Sequence, residues 1–248
     1  NRDLAAMCEL NGMAFGVGSQ RIITSDASTV DSFNVRSKAP NVCLLGNIGI
    51  NQARDLGPQT VLDLFERIEA DYMAIHLNPA MELIQPGSEA DSNFRDGFDT
   101  IARLVDVLDG KLIVKECGCG LSGSLVQRLQ GLGVRGVDVS GVGGTSWIRV
   151  EALRAAGTQA EIGFEFDDWG IPTAVTTWSA GQVEGMMVVA SGGVYSGRTA
   201  AKALALGADL VGVARPVLKA YLDHGVDGAQ QVVDGIVRGI QTSMALTG

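Results

Sequence analysis

The chain has 248 residues, of which 46% are hydrophobic and 19% charged, and its formal net charge is −9. This balance supports a large buried core and excludes a disordered chain, while the 33 glycines follow no period typical of collagen. No cluster of Lys and Arg is present to bind nucleic-acid phosphates. A chain of ~250 residues fits either one α/β barrel or two smaller domains.

The four cysteines are too few for a disulfide scaffold, which favours a reducing, cytoplasmic location. Cys117 and Cys119 form a Cys-x-Cys pair that matches no tetrahedral zinc pattern by itself, and Cys43 lies in an apolar run that predicts burial. No apolar stretch is long enough to cross a membrane. The chain starts without methionine in a helical pattern, so we expect a further segment before Asn1.

Short, continuous apolar runs predict the strands of this protein, because such runs are typical of strands buried on both faces of a parallel sheet. The predicted strands are Met13–Val17, Val42–Leu45, Tyr72–Leu77, Lys111–Val114, Gly136–Val139, Met186–Ala190 and Leu210–Val213.

Helical patterns lie between most of these runs. They cover Pro58–Ala70, Asp99–Leu108, Leu121–Leu132 and Gly197–Leu206. The alternation predicts a single (βα)8 TIM barrel over residues 1–248, with its first strand before Asn1. A doubly wound sheet is the alternative, although its glycine-rich first turn and acidic ribose partner are not evident. The acidic stretch 157–169 predicts an insertion or a lid.

Polar residues stand at the ends of successive predicted strands. In a βα barrel the carboxyl ends of the strands face the active site. The residues at these positions are Ser19, Gln20, Arg21, Asn47, His76, Asn78, Lys115, Glu116, Ser140 and Arg215. Their repetition at successive strand ends predicts a polar site at one mouth of the barrel.

Two glycine motifs favour phosphate binding. Ser191-Gly192-Gly193 follows one predicted strand, and Gly212–Arg215 closes the next. The loops after the last two strands commonly hold a phosphate in such barrels, with backbone N–H groups as donors. The alternative is that both motifs are tight turns.

Several single residues suggest a functional role, and for most of them a plainer structural role is also open. Lys115 can neutralise an anionic cofactor ring or form a structural salt bridge, and His76 can move a proton or be a satisfied core histidine. Glu82 can hold Mg²⁺ together with water and a substrate phosphate. For Glu151 the plainer interpretation is a solvated acid on a helix, and for Trp147 it is a residue of the core.

Several motifs resemble those of the type 2 isopentenyl diphosphate isomerases, and the resemblance covers essentially the whole chain. The most specific are Phe15–Arg21 (Phe-Gly-Val-Gly-Ser-Gln-Arg) and Gly143–Trp147 (Gly-Gly-Thr-Ser-Trp). The others are Asn1–Ala6, His76–Pro79, Lys115–Glu116, Asp168–Thr173, Ala190–Gly193 and Ala201–Pro216.

The resemblance implies an FMN-binding barrel that converts isopentenyl diphosphate to dimethylallyl diphosphate, with the reduced flavin as acid and base. Mg²⁺ and a reductant such as NADPH are implied as well, and the family is usually a homotetramer or homo-octamer. The cofactor-binding residues expected on this basis are Ser19, Asn47, Lys115, Ser140, Thr145, Gly192, Gly193, Ala214 and Arg215.

The resemblance also suggests which residues act on the substrate. The expected catalytic residues are His76, Asn78, Lys115 and Glu151. The expected substrate-binding residues are Arg21, His76, Met81 and Trp147. The expected metal ligand is Glu82.

One position departs from the family pattern. The family continues His-x-Asn-Pro-x-Gln-Glu, and here Met81 stands at the glutamine position, before Glu82. Methionine lacks the amide's donor and acceptor. An FMN-binding paralogue with altered or lost isomerase activity is therefore one alternative. Another is an FMN-dependent 2-hydroxy acid oxidoreductase, which needs a strand-end histidine base near the C-terminus, a context that His224 lacks.

Overall fold

The computed structural model describes residues 1–87 and 91–248. One parallel sheet runs through it, with its strands side by side in chain order. The strands are β1 (Phe15–Gly16), β2 (Leu44–Gly49), β3 (Tyr72–His76), β4 (Leu112–Lys115), β5 (Gly136–Asp138), β6 (Met187–Ala190) and β7 (Leu210–Val211). Each predicted strand is thereby confirmed, with shifted ends.

The second strand differs most from its prediction. β2 continues to Gly49, so Asn47 lies inside the strand and not after it. The predicted end at Leu45 was wrong because Gly46 was interpreted as a turn. Gly46 instead pairs with Met73 of β3, and a Cβ there would lie only 2.7 Å from Oε1 of Gln20. The absence of a side chain at Gly46 therefore leaves the space that the side-chain oxygen of Gln20 occupies.

Helices follow the strands and cover the sheet. They are α1 (Arg2–Leu10), α2 (Arg21–Ser25), α3 (Ile50–Leu56), α4 (Pro58–Arg67), α5 (Pro79–Ile84), α6 (Gly97–Val107), α7 (Gly123–Gly131), α8 (Trp147–Arg154), α9 (Thr158–Glu165), α10 (Thr173–Gly181), α11 (Gly197–Ala205) and α12 (Arg215–Thr247), with a 3₁₀ helix at Ala27–Ser32. The predicted helices correspond to α4, α6, α7 and α11. Within the described ranges, no helix has both the length and the apolar character needed to cross a membrane.

The sheet curls so that the first and last helices meet. The Tyr221 hydroxyl of α12 donates to Oδ2 of Asp3 in α1 at 2.9 Å, and the amides of Asn11 and Gln230 bond each other at 2.8 and 3.0 Å. Since α1 precedes β1 and α12 follows β7, the two sheet edges come round to the same side. Among the described residues no pairing joins β1 to β7, so the fold is TIM-barrel-like and open along this side.

The core lies on both faces of the sheet, as the continuous apolar runs predict. Leu112, Ile113 and Val114 of β4 are all buried, and successive side chains of a strand point to opposite faces. Cys43 is exposed, so the expectation that it belongs to the core is wrong. Side chains alternate along an extended segment, and the buried Val42 and Leu44 on either side of Cys43 leave its thiol facing outward.

The acidic segment 157–169 contains helix α9. This helix packs against α8 and α5, and Nη1 of Arg149 forms an ion pair with Asp167 at 3.1 Å. Phe164 and Trp169 of the segment are exposed. A role as a lid stays a prediction.

Candidate active site

His76 and Lys115 stand side by side at the carboxyl ends of β3 and β4. Strand register pairs His76 with Lys115 on one side and with Gly49 of β2 on the other. Burial, with a smaller contribution from the Lys115 charge, lowers the pKa of His76 to about 3. The imidazole is therefore neutral at pH 7.

An amide network holds the His76 ring. Oδ1 of Asn47 lies 2.9 Å from Nδ1 of His76, and Nδ2 of Asn47 donates to the Val17 carbonyl at 3.1 Å. Gln20 is completely buried; its Oε1 accepts the Asn47 backbone N–H at 3.0 Å, and its Nε2 donates to the Leu64 carbonyl at 2.9 Å. The sequence analysis placed Gln20 at a strand end and assigned it no function. Only the folded chain shows these contacts.

Lys115 lies among buried acidic and thiol groups. Its Nζ donates to the Glu116 carbonyl and to Sγ of Cys117, both at 3.2 Å. Asp138 of β5 is its register neighbour, and Oδ1 of Asp138 accepts from Ser191 Oγ at 2.6 Å. Burial opposes the charge of Lys115, but Cys117 and Asp138 outweigh it and raise the pKa of Lys115. Lys115 therefore carries a positive charge at this mouth.

Asp138 is a site residue that the sequence analysis missed. Burial raises the pKa of its carboxyl group, and the Lys115 charge opposes that shift. A signal was present, since Asp138 is the one carboxylate within the apolar run Gly136–Val139. A carboxylate in a buried strand requires partners. The Ser191 hydroxyl and the Ser140 N–H donate to Asp138, and the charge of Lys115 acts on it as well.

The backbone of the Cys-x-Cys segment, Cys117 to Cys119, binds the carboxylate of Glu116. Oε2 of Glu116 accepts the backbone N–H of Cys117 at 2.7 Å and that of Cys119 at 2.8 Å. Burial raises the pKa of Cys119 to about 12, with Glu116 and Cys117 adding to the shift, so this thiol stays protonated. Among residues 1–87 and 91–248, no group of three His, Cys, Asp or Glu side chains could hold a metal ion.

The glycine motifs after β5 and β6 pack backbone against backbone. Gly192 and Gly193 have φ of +86° and +91°, and a Cβ on either would collide with the carbonyl of Gly141 or Gly143. The Tyr195 hydroxyl donates to the Gly143 carbonyl at 3.0 Å. The structure thus requires glycine at these two positions for backbone packing, and phosphate binding at this motif stays a prediction.

A small cavity joins the ends of β3, β4 and β5. The residues that line it are Asn78 after β3, Cys117 and Cys119 after β4, and Thr145 and Trp147 after β5, together with Trp169 from the segment 157–169. Asn78 is buried with φ of +49°, and its Nδ2 donates to Sδ of Met81 at 3.0 Å. Ser140, also predicted for the cofactor, has its N–H 3.3 Å from Asp138 Oδ1. The structure therefore brings together most of the predicted residues from β3 to β5.

Glu82 and Glu151 form a second acidic region beside α5 and α8. Both are buried, and Glu82 accepts the Asp91 N–H at 3.2 Å. Burial raises the pKa of Glu82, which the Asp91 N–H and the Arg21 charge oppose and Glu151 reinforces. Both carboxylate oxygens of Glu151 accept from Nη1 of Arg154, at 2.8 and 3.0 Å. Glu151 is thus ion-paired and is not the solvated helix acid of the alternative interpretation.

The remaining predicted positions are exposed. Ser19 lies next to Gln20, and its Oγ is 3.4 Å from the Arg21 N–H. Ala214 and Arg215 stand directly after β7, where α12 begins without a side-chain cap. Trp147 is the first residue of α8 and is 45% exposed, so its alternative role as a core residue is wrong.

Comparison with known proteins identifies the family. The model of the FMN-dependent dehydrogenase family matches residues 51–248. Isopentenyl-diphosphate delta-isomerase of Pyrococcus furiosus is 41% identical over the whole chain, and that of Methanothermobacter thermautotrophicus is 40% identical. The chain spans 64% and 68% of the length of these two relatives.

A solved structure supports the same architecture. Inosine 5' monophosphate dehydrogenase from Legionella pneumophila matches with a TM-score of 0.54 at 17% identity, covering 86% of this chain and 53% of that one. This likeness concerns the fold alone. The sequence relatives carry the assignment: the chain belongs to the FMN-dependent, type 2 isopentenyl-diphosphate delta-isomerase family.

Proposed function

We propose that this chain carries the active site of an FMN-dependent enzyme that converts isopentenyl diphosphate to dimethylallyl diphosphate, within a closed (βα)8 barrel. One observation carries the proposal: neutral His76 and positive Lys115 stand together at the ends of β3 and β4. The positive charge matches the anionic tail of a prenyl diphosphate.

The residues at the mouth fit FMN. Lys115 provides positive charge for an anionic flavin ring, and Asn47, Ser140 and Thr145 provide polar groups around it. At the phosphate end, the glycine loop at Gly192–Gly193 would offer backbone N–H groups, and the start of α12 at Ala214 and Arg215, which has no side-chain cap, would offer others. Ser19 at the rim completes the proposed set.

Mg²⁺ fits only as a metal shared with the substrate. Glu82 offers a single buried carboxylate, and Mg²⁺ commonly binds through one or two carboxylates together with substrate phosphates and waters. Arg21 lies close enough to Glu82 to lower the pKa of that carboxyl group, so it would meet the same diphosphate. We assign Glu82 as the metal ligand and Arg21 as a diphosphate ligand.

The reaction moves a double bond, which requires a proton at one carbon and the loss of a proton from another. Bound reduced flavin would supply this acid and base chemistry, with NADPH as its reductant. The protein's own residues bind and orient. Trp147 and Met81 would pack on the prenyl group, while His76 and Asn78 would line the substrate side of the pocket. Glu151, which is ion-paired with Arg154, would contribute to the electrostatic potential near the diphosphate.

The proposal has two further parts. From the family resemblance we infer a homotetramer or homo-octamer, and from the acidic stretch 157–169 we infer that this segment closes the site. The exposed Phe164 and Trp169 of that segment are consistent with a surface that becomes covered. Sedimentation of the FMN-loaded protein would measure the oligomer.

The decisive experiment is an anaerobic assay of the purified protein with dithionite-reduced FMN, Mg²⁺ and isopentenyl diphosphate. Formation of dimethylallyl diphosphate supports the proposal. Bound flavin without turnover would indicate the paralogue, and oxygen uptake with 2-hydroxy acids would indicate the oxidoreductase. Against that last alternative, His224 lies exposed within α12 and not at a strand end.

A further inference from the structure

We propose that Gln20 is a positioning residue that acts through Asn47 to keep the proton of neutral His76 on Nδ1, leaving Nε2 as a hydrogen-bond acceptor. The inference concerns this chain's own residues and deepens the proposed function, on which only its last consequence rests.

Two backbone carbonyls orient the amides of this network, because a carbonyl can only accept a hydrogen bond. The Leu64 carbonyl accepts from the side chain of Gln20, so the Gln20 amide nitrogen must face it and its oxygen must face the Asn47 N–H. The two ends of the Gln20 amide are thereby distinguished by groups that have no alternative role.

The same reasoning orients the next amide. The Val17 carbonyl accepts from Nδ2 of Asn47, so Oδ1 of Asn47 faces His76. An amide oxygen is only an acceptor, and Nδ1 of His76 must therefore donate across the 2.9 Å contact. In a neutral imidazole the other nitrogen, Nε2, then carries a lone pair.

Burial makes the network difficult to reverse. Gln20 has no solvent-exposed surface, and a Cβ at Gly46 would lie 2.7 Å from its Oε1. Turning the Gln20 amide over would put two donors together at Asn47 and two acceptors together at Leu64, with no water to relieve either. Gln20 is therefore fixed, and it fixes the backbone of the residue that contacts His76.

The surroundings of the ring keep it neutral. Lys115 on β4 brings positive charge to one side, while β2 presents the uncharged Asn47 and Gly49 on the other. A diphosphate oxygen that reaches Nε2 would meet a lone pair. Binding of an anion at this nitrogen must then be accompanied by uptake of one proton, with Asn47 Oδ1 accepting from Nδ1 in both states.

The test is long-range ¹H–¹⁵N NMR of the FMN-loaded protein with ¹⁵N-labelled histidine. The chain has two histidines, and His224→Asn assigns the two rings. Wild type is expected to show His76 in the Nδ1–H tautomer alone. Gln20→Leu is expected to give a mixture of both tautomers. Gln20→Glu is expected to keep the Nδ1–H form, because a buried, protonated carboxyl group can still donate to the Leu64 carbonyl and accept the Asn47 N–H. Gln59→Leu, an exposed position on α4, should change nothing.

Calorimetry tests the consequence for binding. Titration with inorganic diphosphate, in buffers that differ in ionisation enthalpy, should show uptake of one proton more by wild type than by His76→Gln, because the proton change of the diphosphate itself is common to both. An Nε2–H tautomer in wild type, or unchanged Nδ1–H in Gln20→Leu, overturns the assignment to Gln20. Diphosphate binding with equal proton uptake by wild type and His76→Gln overturns the link to Nε2. Because the tautomer is measured without turnover, failure of this inference is distinguishable from failure of the isomerase assay.

Discussion

The two halves of the mouth are held by different forces. At the ends of β2 and β3, uncharged amides bind one another and backbone carbonyls, from Leu64 through Gln20 and Asn47 to His76. At the ends of β4 to β6, the interactions involve buried charges. Lys115 donates to the Cys117 thiol and interacts electrostatically with Asp138. The amide half fixes direction and proton position, whereas the charged half fixes electrostatic potential.

The difference indicates how each half should respond to change. Hydrogen bonds between amides depend on angle and distance, so small geometric errors matter there. Buried charges depend on the presence of their partners, so removing one of them leaves the others uncompensated. Substitutions in each half therefore test whether the two halves differ in this way.

Gly192→Ala should cause the largest loss of stability. The residue has φ of +86°, and its Cβ would collide with the Gly141 backbone, which has no flexible side chain to move aside. We expect a loss of about 4 kcal/mol in the free energy of unfolding, from backbone strain and overpacking together. Urea denaturation measures it.

Gly185→Ala is the matched control. Gly185 has φ of +77° with no atom within 4 Å of the added Cβ, so only the backbone strain of about 1 kcal/mol applies. Equal losses in the two variants would mean that the packing of the glycine loops against each other is unimportant.

Lys115→Met should destabilise the charged half by about 3 kcal/mol, because Asp138 would remain buried without its cation. FMN affinity should fall at least about tenfold if the lysine neutralises the flavin. Lys111→Met, an exposed position just before β4, serves as the control and should retain both properties. Retained FMN affinity in Lys115→Met would remove the lysine from the proposed cofactor site.

Lowering the pH should reduce the free energy of unfolding through His76, which belongs to the amide half of the mouth. The folded state lowers the pKa of this imidazole from 6.5 to about 3, so below pH 6.5 the unfolded chain binds a proton that the folded chain does not. Stability is fully present above pH 6.5 and falls as the pH drops toward 3. Between pH 7 and 5 we expect a loss of about 2 kcal/mol from this group.

His76→Gln should remove that part of the pH dependence, measured as the difference between denaturation curves at pH 7 and 5. His224→Gln, at an exposed position, should retain it. An identical pH slope in all three proteins would show that His76 is not the titrating group.

Met81→Gln should have the smallest effect, on rate and not on stability. Asn78 Nδ2 now donates to the weakly accepting Met81 sulfur, and a glutamine oxygen would accept more strongly. We expect an increase in isomerase kcat of about fivefold, the value of one hydrogen bond near 1 kcal/mol. An unchanged or lower kcat would show that Met81 does not limit the site, and Met244→Gln, at an exposed position in α12, is the control.

The sequence predicted the elements well because their signals are local. Apolar runs identified each strand of the curled sheet, and polar residues marked the strand ends at His76 and Lys115. The end of β2 was misplaced because Gly46 looks like a turn when the chain is considered alone, and Cys43 was misplaced because alternation was overlooked. Both errors concern single residues whose environment depends on neighbouring strands.

The site was only partly predictable for a related reason. Gln20 and Asp138 acquire their roles from partners far along the chain, Leu64 and Ser191, and no spacing rule connects them. The pairing of Glu151 with Arg154 was within reach of the sequence, since the two residues lie one helical turn apart.

By itself, the sequence determined the alternation of strands and helices and the family, because periodicity and motifs are properties of neighbouring residues. Only the tertiary structure decided which polar groups share a proton or a charge. Hydrogen bonds and buried ion pairs act over a few ångströms in space, and the curl of the sheet brings residues from distant parts of the chain within that distance.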